Sequence, residues 1–417
     1  MKIFTIWFAI PFWQRVLAGF ILGATTGLLL AEQAVIVKPL GDLFINAIRM
    51  LIVPLVFCTL VVALTSYTGK NLGRIGLKTV GLFLLTAFIA SAIGLTIALS
   101  IDWGSGLQLV AADSVKERNI PTAAQVLIDI IPRNPIAAMA EGNILQVLCF
   151  AILIGVAINT VGDKAKALKD TITSGAEVMF QITRYVMELT PFGVFGLIAW
   201  MFGSFGFEAV VPLLKFVGAI YAACLIHMLL VYGTLVKVLG KTSPVRFFRS
   251  IFPAQLVAYS SSSSYGTLPV TTQCVTENLG VSKQYSSFVL PLGATINMDG
   301  CGGIYPAIAS VFIAQLYGIP LGASEYVLIM ATAVLASVGT AGVPGSAMVM
   351  LTVTLNAAGL PLEGIAFIAA IDRIIDMMRT TTNVTGDAAV ALAIGQQEGL
   401  MQASDEKPAL VISEEQA

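Results

Sequence analysis

The sequence predicts an all-α polytopic membrane protein, on three observations. Of its 417 residues 57% are apolar and only 11% charged, less than half of the roughly 25% typical of a soluble domain. A water-soluble fold of that composition would leave too much apolar surface bare. Apolar runs of about 20 residues, the length that crosses a bilayer, recur through the first part of the chain. Later, two segments break otherwise apolar sequence with Gly, Pro and hydroxyl residues.

The runs fall at 12–31, 43–66, 76–101, 143–162, 176–203 and 207–239, followed by a less regular apolar half from 245 to 400. The N-terminus has Lys2 and a short apolar run without a small-residue cleavage site, so it reads as the lead into a first span and not as a removed signal peptide. Basic residues fall in alternate connections: Lys70, Arg74 and Lys78; Lys164, Lys166 and Lys169; Lys237, Lys241, Arg246 and Arg249. By the positive-inside rule these connections and the N-terminus are cytoplasmic. The mixed-charge connection 102–142 lies opposite, and the acidic tail Ser404–Ala417 is a solvated, cytoplasmic end.

Composition also excludes functions. A net charge of −1 argues against nucleic acid as a partner. Cys58, Cys149, Cys224, Cys274 and Cys301 show no CxxC spacing, so neither a disulfide framework nor a zinc site is suggested. A single histidine, His227, rules out multi-histidine metal sites; among Met and Leu neighbours it reads as a core residue.

The first interrupted segment runs Tyr259-Ser-Ser-Ser-Ser-Ser264-Tyr-Gly266-Thr267-Leu-Pro269, the second Ser337-Val-Gly339-Thr340-Ala-Gly342-Val-Pro344-Gly345-Ser346. Each is flanked by apolar arms of about 15 residues, too short at about 1.5 Å per residue for a ~30 Å hydrocarbon layer. Irregular backbone at membrane depth is tolerated only inside protein or along a water-filled cavity. Two such breaks in corresponding positions therefore predict re-entrant hairpins around a carrier's binding site.

The last apolar stretch carries Asp372, Asp376, Arg379, Asn383 and Asp387 at steps of four, three, four and four, within an arc of about 80° on one helix face. Thr380 extends the arc, and Arg373 lies further round. Five charges facing lipid would cost on the order of 12–18 kcal/mol on insertion scales, so this face must line a polar interior. One reading is a salt-bridge network that only orients helices, with Asp376 on Arg373 or Arg379. Yet three acids stand against two arginines, which leaves Asp387 for a cation. Upstream, Gly293-Ala-Thr295-Ile-Asn297-Met298-Asp299-Gly300-Cys301-Gly302-Gly303 predicts an unwound turn, because glycine disfavours helix. Its carbonyls and carboxylates are hard oxygen ligands for an alkali cation, Ca²⁺ or Mg²⁺, a net-neutral cage favouring a monovalent ion. Arginine supplies a fork for a substrate carboxylate.

Four motifs in order, GTLP at Gly266–Pro269, GATINMDG at Gly293–Gly300, SVGTAGVPG at Ser337–Gly345 and RTTTNVTGD at Arg379–Asp387, resemble the glutamate transporter homologues of the dicarboxylate/amino acid:cation symporter family. The resemblance runs from about 12 to 397. It implies eight transmembrane helices plus two re-entrant helical hairpins, inverted repeats, a homotrimer and an elevator-type mechanism in the plasma (inner) membrane. Residues 1–75 and 106–205 would be scaffold (spans one, two, four and five), and 401–417 a tail. Residues 76–105, 206–242 and 243–400 would form the mobile transport domain.

Carried over by position, the resemblance implies that Arg379 pairs the substrate side-chain carboxylate and Asp376 its amino group. Thr380, Asn383, Ser264, Val343 and Cys301 would complete the pocket. The implied sodium ligands are Asp387 with backbone of Gly293 and Asn383; Ser337 and Thr340 at the second hairpin; and Thr86, Asn297 and Asp299. The expected activity is Na⁺-coupled uptake of aspartate or glutamate. Four departures bear on it. Cys301 replaces a threonine that contacts the substrate carboxylate, and GCGGIYP looks like the cystine-transporting branch. Ala87 replaces a serine beside Thr86. Tyr305 stands where animal members carry a proton-coupling glutamate, and Ser262 where aspartate members carry an arginine for which Arg373 would compensate. The alternatives are therefore cystine or another amino acid, or a proton-driven dicarboxylate symporter. An intramembrane aspartyl protease on Asp387 and Asp299 lacks the GxGD signature, since Val384 stands where its first glycine belongs. Fixed charges this dense argue against a channel.

Overall fold

The computed structural model describes residue 10 and residues 12–65, 72–103, 131–206, 210–340, 342, 345–369 and 371–402. Among them every extended regular element is helical; the one β-type pairing is an isolated bridge between Val281 and Met401. Three apolar helical stretches are long enough to cross a bilayer: Leu17–Phe44, Arg74–Leu99 and Val210–Val238.

The first half contains α1 (Phe12–Leu30), a 3₁₀ connection Ala31–Val37, α2 (Lys38–Thr65), α3 (Leu72–Leu99), α4 (Pro135–Glu141), α5 (Ile144–Val161), α6 (Lys166–Met187) and α7 (Thr190–Phe205). α1 packs along α7 because small residues let the backbones touch. A β-carbon on Gly19, Gly23 or Gly27 would lie 2.3, 2.7 and 2.4 Å from the carbonyl oxygens of Pro191, Phe195 and Ala199. Arg15 pairs with Glu188 at one end of this contact. The end of α2 leaves carbonyls without helical donors; Asn159 Nδ2 donates to Leu64 O and Lys169 Nζ to Thr65 O, each at 2.7 Å.

The expected span 176–203 is corrected to parts of two helices, α6 and α7, with a bend of about 50° between the helical stretches Cys149–Val186 and Thr190–Ser204. Pro191 sits in the first turn of α7, where its missing N–H is tolerated and its ring prevents continuation of the helix before it. The spans expected at 43–66 and 76–101 begin earlier, at Lys38 and Leu72.

The second half begins with α8 (Val210–Ile226), a π segment His227–Tyr232 and α9 (Gly233–Val238). Both interrupted segments form helix–turn–helix pairs whose members pack on one another: α10 (Pro244–Ser261) with α11 (Ser264–Gln273), and α14 (Ala323–Gly339) with α15 (Ser346–Ala357). α10 stops at Ser262, which is left-handed at φ +53°, and Ser263 caps α11 by accepting from Gly266 N. Between the pairs run α12 (Lys283–Ile296), a π segment Asp299–Ile304 and α13 (Tyr305–Leu316). The predicted unwinding is therefore present at Asn297 and Met298. α16 (Ile365–Ala369) leads into α17 (Asp372–Gln397), which is buried almost throughout from Ile375 to Gly395 and opens only near Arg373 and Ile374 and at Gln396 and Gln397. α13 and α15 are buried almost throughout, so the deepest core surrounds α17 and the broken α12–α13 rod.

Candidate functional site

α17 brings Asp372, Asp376, Arg379, Asn383 and Asp387 to its core face, all buried, as the spacing predicts. Arg379 is fully buried. Its Nη2 donates to Asp372 Oδ1 at 2.8 Å and Asp376 Oδ1 at 3.0 Å, and the guanidinium lies 4.0 Å from the centroid of the Tyr305 ring. Both carboxylates load one nitrogen, so Nη1 and Nε have no protein acceptor. A buried donor of this kind calls for an anionic or carbonyl partner. Of the two partners weighed for Asp376, the structure selects Arg379. Arg373 instead reaches the end of α10, donating to Ser260 O at 3.2 Å and Ser261 O at 3.5 Å, where a helix C-terminus lacks donors. This places a guanidinium at the first hairpin, next to Ser262.

Asn383 joins α17 to the broken rod. Its Oδ1 accepts from Gly300 N at 2.8 Å, while Nδ2 faces Met298 Sδ at 3.1 Å and Cys301 Sγ at 3.2 Å. Cys301 Sγ lies 3.9 Å from Asp376 Oδ1, so the thiol belongs to the arginine cluster. Glycines admit this approach: a β-carbon on Gly300 would be 2.5 Å from Arg379 O, and one on Gly302 2.2 Å from Ser337 Cα.

One turn further along α17 the chemistry changes. Asp387 Oδ1 accepts from Asn297 Nδ2 at 2.9 Å, and a β-carbon on Gly293 would sit 2.3 Å from that same oxygen. Asp299 is fully buried; its Oδ2 accepts from Tyr232 Oη at 2.7 Å and faces His227 Nε2 at 3.1 Å. His227 is thus the buried, partnered core residue that its apolar neighbours predict, and its partner is Asp299. Asp299 Oδ1 and Asn297 Oδ1 are buried without partners. Among the described residues neither carboxylate is ion-paired to lysine or arginine. Two buried carboxylates and orphaned oxygens, all hard donors, fit an alkali cation.

The hairpins close over this region. Ser263 Oγ donates to Gly342 O at 2.9 Å and Tyr265 N to the same carbonyl at 3.1 Å, joining the two breaks. Ser264 is buried at that junction, beside Gly342. Ser337 Oγ accepts from Met298 N at 2.9 Å, fixing the second hairpin to the unwound turn. Thr380 is buried on α17. The hydroxyls of Thr340 and Thr86 turn back to their own helices, to Ala336 O at 2.6 Å and Phe83 O at 3.0 Å. Val343 lies outside the described residues. The site residues that sequence reasoning missed are Asp372 as an Arg379 partner, and Tyr232 and His227 on Asp299. The Asp372 spacing was available as a signal, but nothing local to α8 points at Asp299.

The chain is similar in sequence to known transport proteins. The sequence model of the sodium:dicarboxylate symporter family matches residues 12–397. The chain is 34% identical to a proton/sodium-glutamate symport protein of Geobacillus stearothermophilus, over 95% of this chain and 96% of that one. It is 37% identical to the proton/glutamate-aspartate symporter of Escherichia coli K12, over 87% and 85%. A C4-dicarboxylate transport protein of Leptothrix cholodnii is 33% identical over 94% and 90%. A buried arginine with unclaimed donors, set beside carboxylates that lack a cation, is thus found in a chain that belongs to the sodium:dicarboxylate symporter family, a membrane transporter and not an enzyme.

Proposed function

We propose that this protein couples inward Na⁺ movement to the uptake of aspartate or glutamate. The observation that carries the reading is Arg379: fully buried, held by Asp372 and Asp376 through Nη2 alone, with Nη1 and Nε left for a substrate carboxylate. Asp376 and Asp372 are the acceptors available to a substrate ammonium. Asp387, Asn297 and Asp299 supply the cation's oxygens, with Gly293, Asn383, Ser337, Thr340 and Thr86 as the further implied ligands. The names of relatives support a cation-coupled carrier of acidic substrates, and they include both proton and sodium.

In this reading eight spans and two re-entrant hairpins sit in the plasma membrane with both termini cytoplasmic. Residues 1–75 and 106–205 form the scaffold of a homotrimer, and the remainder up to 400 moves as an elevator. The close α1–α7 contact and the burial of α17 within the second half support two internally packed units. A second reading, cystine or a proton-driven substrate, is favoured by one observation: Asn383 spends its donor on two sulfurs, one of them Cys301.

The test is radiolabelled L-aspartate uptake into proteoliposomes under an inward Na⁺ gradient, with a K⁺-only control and an inward proton gradient at equal membrane potential. Na⁺-dependent uptake, competed by glutamate and not by cystine or succinate, is expected. Uptake driven by the proton gradient alone, or competition by cystine, moves the protein to the second reading.

A further inference from the structure

The π segment at His227–Tyr232 lies in a long apolar helix, far in sequence from every motif above. At about 100° per residue an α-helix would set residues five apart some 140° from each other. A π turn, closed by i→i+5 bonds, returns the chain to the same face after about five residues, and such bulges concentrate at functional sites. Here it puts the His227 imidazole and the Tyr232 phenol, ring centroids 4.6 Å apart and edge to face, on one oxygen of Asp299. All three side chains are fully buried.

We infer that Tyr232 and His227 are positioning residues of the buried cation site, fixing Asp299 so that its other oxygen faces the ion. This rests on the cation-coupled reading above. A carboxylate oxygen only accepts, so both groups serve it as donors, and two donors on Oδ2 hold the carboxylate against rotation. That leaves Asp299 Oδ1 without a protein partner, in the same condition as Asn297 Oδ1. The phenol is tied to the second acid as well. A β-carbon on Gly386 would be 2.4 Å from Tyr232 Oη and 2.8 Å from Asn297 Nδ2, so both groups press on the residue before Asp387. Asn297 Nδ2 in turn donates to Asp387. Tyr232 therefore stands where it can transmit the placement of Asp299 to Asn297 and Asp387 together. Outer partners of ion ligands typically tune affinity 10–100-fold.

The test titrates NaCl against choline chloride at constant ionic strength, reading thermal stabilisation of the detergent-purified full chain without substrate. Tyr232→Phe keeps the ring and removes one donor; it should raise the NaCl midpoint at least tenfold. His227→Leu should do the same. His227→Gln, whose amide can take the Nε2 position, should return to within about threefold of wild type. Tyr221→Phe, which removes a phenol from the same helix that donates to Ile374 O, should lower the unfolding temperature without moving the midpoint. Tyr232→Phe and His227→Leu at the wild-type midpoint, or a midpoint moved equally by Tyr221→Phe, overturns the assignment. A wild-type protein indifferent to NaCl overturns the Na⁺ site itself and this assignment with it. Where His227→Leu fails to fold, Tyr232→Phe and His227→Gln decide through the aspartate KM at saturating Na⁺: an unchanged KM with a raised Na⁺ requirement in Tyr232→Phe and not in His227→Gln is the expected result, and the reverse refutes it.

Discussion

The two charged clusters of α17, around Arg379 and around Asp387, lie about two turns apart and solve the problem of buried charge in opposite ways. Near its start, Arg379 is ringed by Asp372 and Asp376, so a guanidinium answers two carboxylates and a tyrosine ring covers it. Further on, Asp387 faces the amide of Asn297, and Asp299 faces a phenol and an imidazole. The first cluster holds itself together and keeps spare donors. The second has spare acceptors and excess negative charge. Burial is the same in both, so the difference lies in what each lacks: an anion at one, a cation at the other. One arginine against Asp372, Asp376, Asp387 and Asp299 leaves the whole region negative, so a cation bound at the second cluster would lower the repulsion that an anion meets at the first.

The strongest way to break this contrast is to turn the paired end into an unpaired one. Arg379→Ala leaves Asp372 and Asp376, each about 5% exposed, facing one another without a cation. Removing one partner of a buried pair costs about 3–5 kcal/mol. The thermal unfolding midpoint in detergent should fall accordingly, and acidic substrate uptake should be lost. Near-wild-type aspartate transport by this variant would remove Arg379 from the substrate site.

The opposite manipulation removes charge from the end that has no partner. Asp387→Asn is nearly isosteric and deletes one of two uncompensated carboxylates, so in Na⁺-free buffer the protein should be at least as stable as wild type. Its response to Na⁺ should shrink: a ligand at 100 times its Kd stabilises by about 2.7 kcal/mol, and the variant loses the share due to this site. Thermal midpoints with and without NaCl separate the two effects. A variant destabilised in Na⁺-free buffer as much as Arg379→Ala would mean that Asp387 is a structural partner like Asp376.

What could be read from sequence follows the same division. The five polar positions of α17 were legible because they belong to one helix, where spacing fixes the face. The unwinding at Asn297–Met298 was legible because Gly300, Gly302 and Gly303 weaken the helix locally. Partners delivered by other elements were not. Tyr232 and His227 reach Asp299 through a π turn, and an α-helical reading sends them to different faces. Asp372 lay in plain sight, but spacing permits Arg379 to bond either acid and does not say that it bonds both on one nitrogen. The break between α6 and α7 was hidden by apolarity, although Pro191 marked it. Hydropathy measures where a chain prefers lipid and is blind to where it bends.

A third charge environment at the far end of α17 calibrates the other two. Just past Gln397, beyond the apolar stretch, Glu398 accepts from Arg74 Nη2 at 2.7 Å and pairs with Lys78, tying the helix to α3. The hydrogen bond from Lys78, then the charge of Arg74, holds its carboxyl below the usual glutamate range. A depressed folded pKa contributes stability above the unfolded value, near 4.3, that is lost as pH falls through the folded one. Both cations are exposed, so salt screens the tie over about 8 Å at physiological ionic strength. Glu398→Gln should therefore lower the thermal midpoint only slightly at pH 7. The gap should narrow in high salt and close as pH falls through the depressed folded value, where the wild-type carboxylate is itself protonated. Arg379→Ala, by contrast, should keep its deficit in high salt, because water and ions do not reach the fully buried guanidinium. A Glu398→Gln deficit that resists both acid and salt would place this pair with the buried ones, and solvent access would no longer be what separates the charged stations of α17.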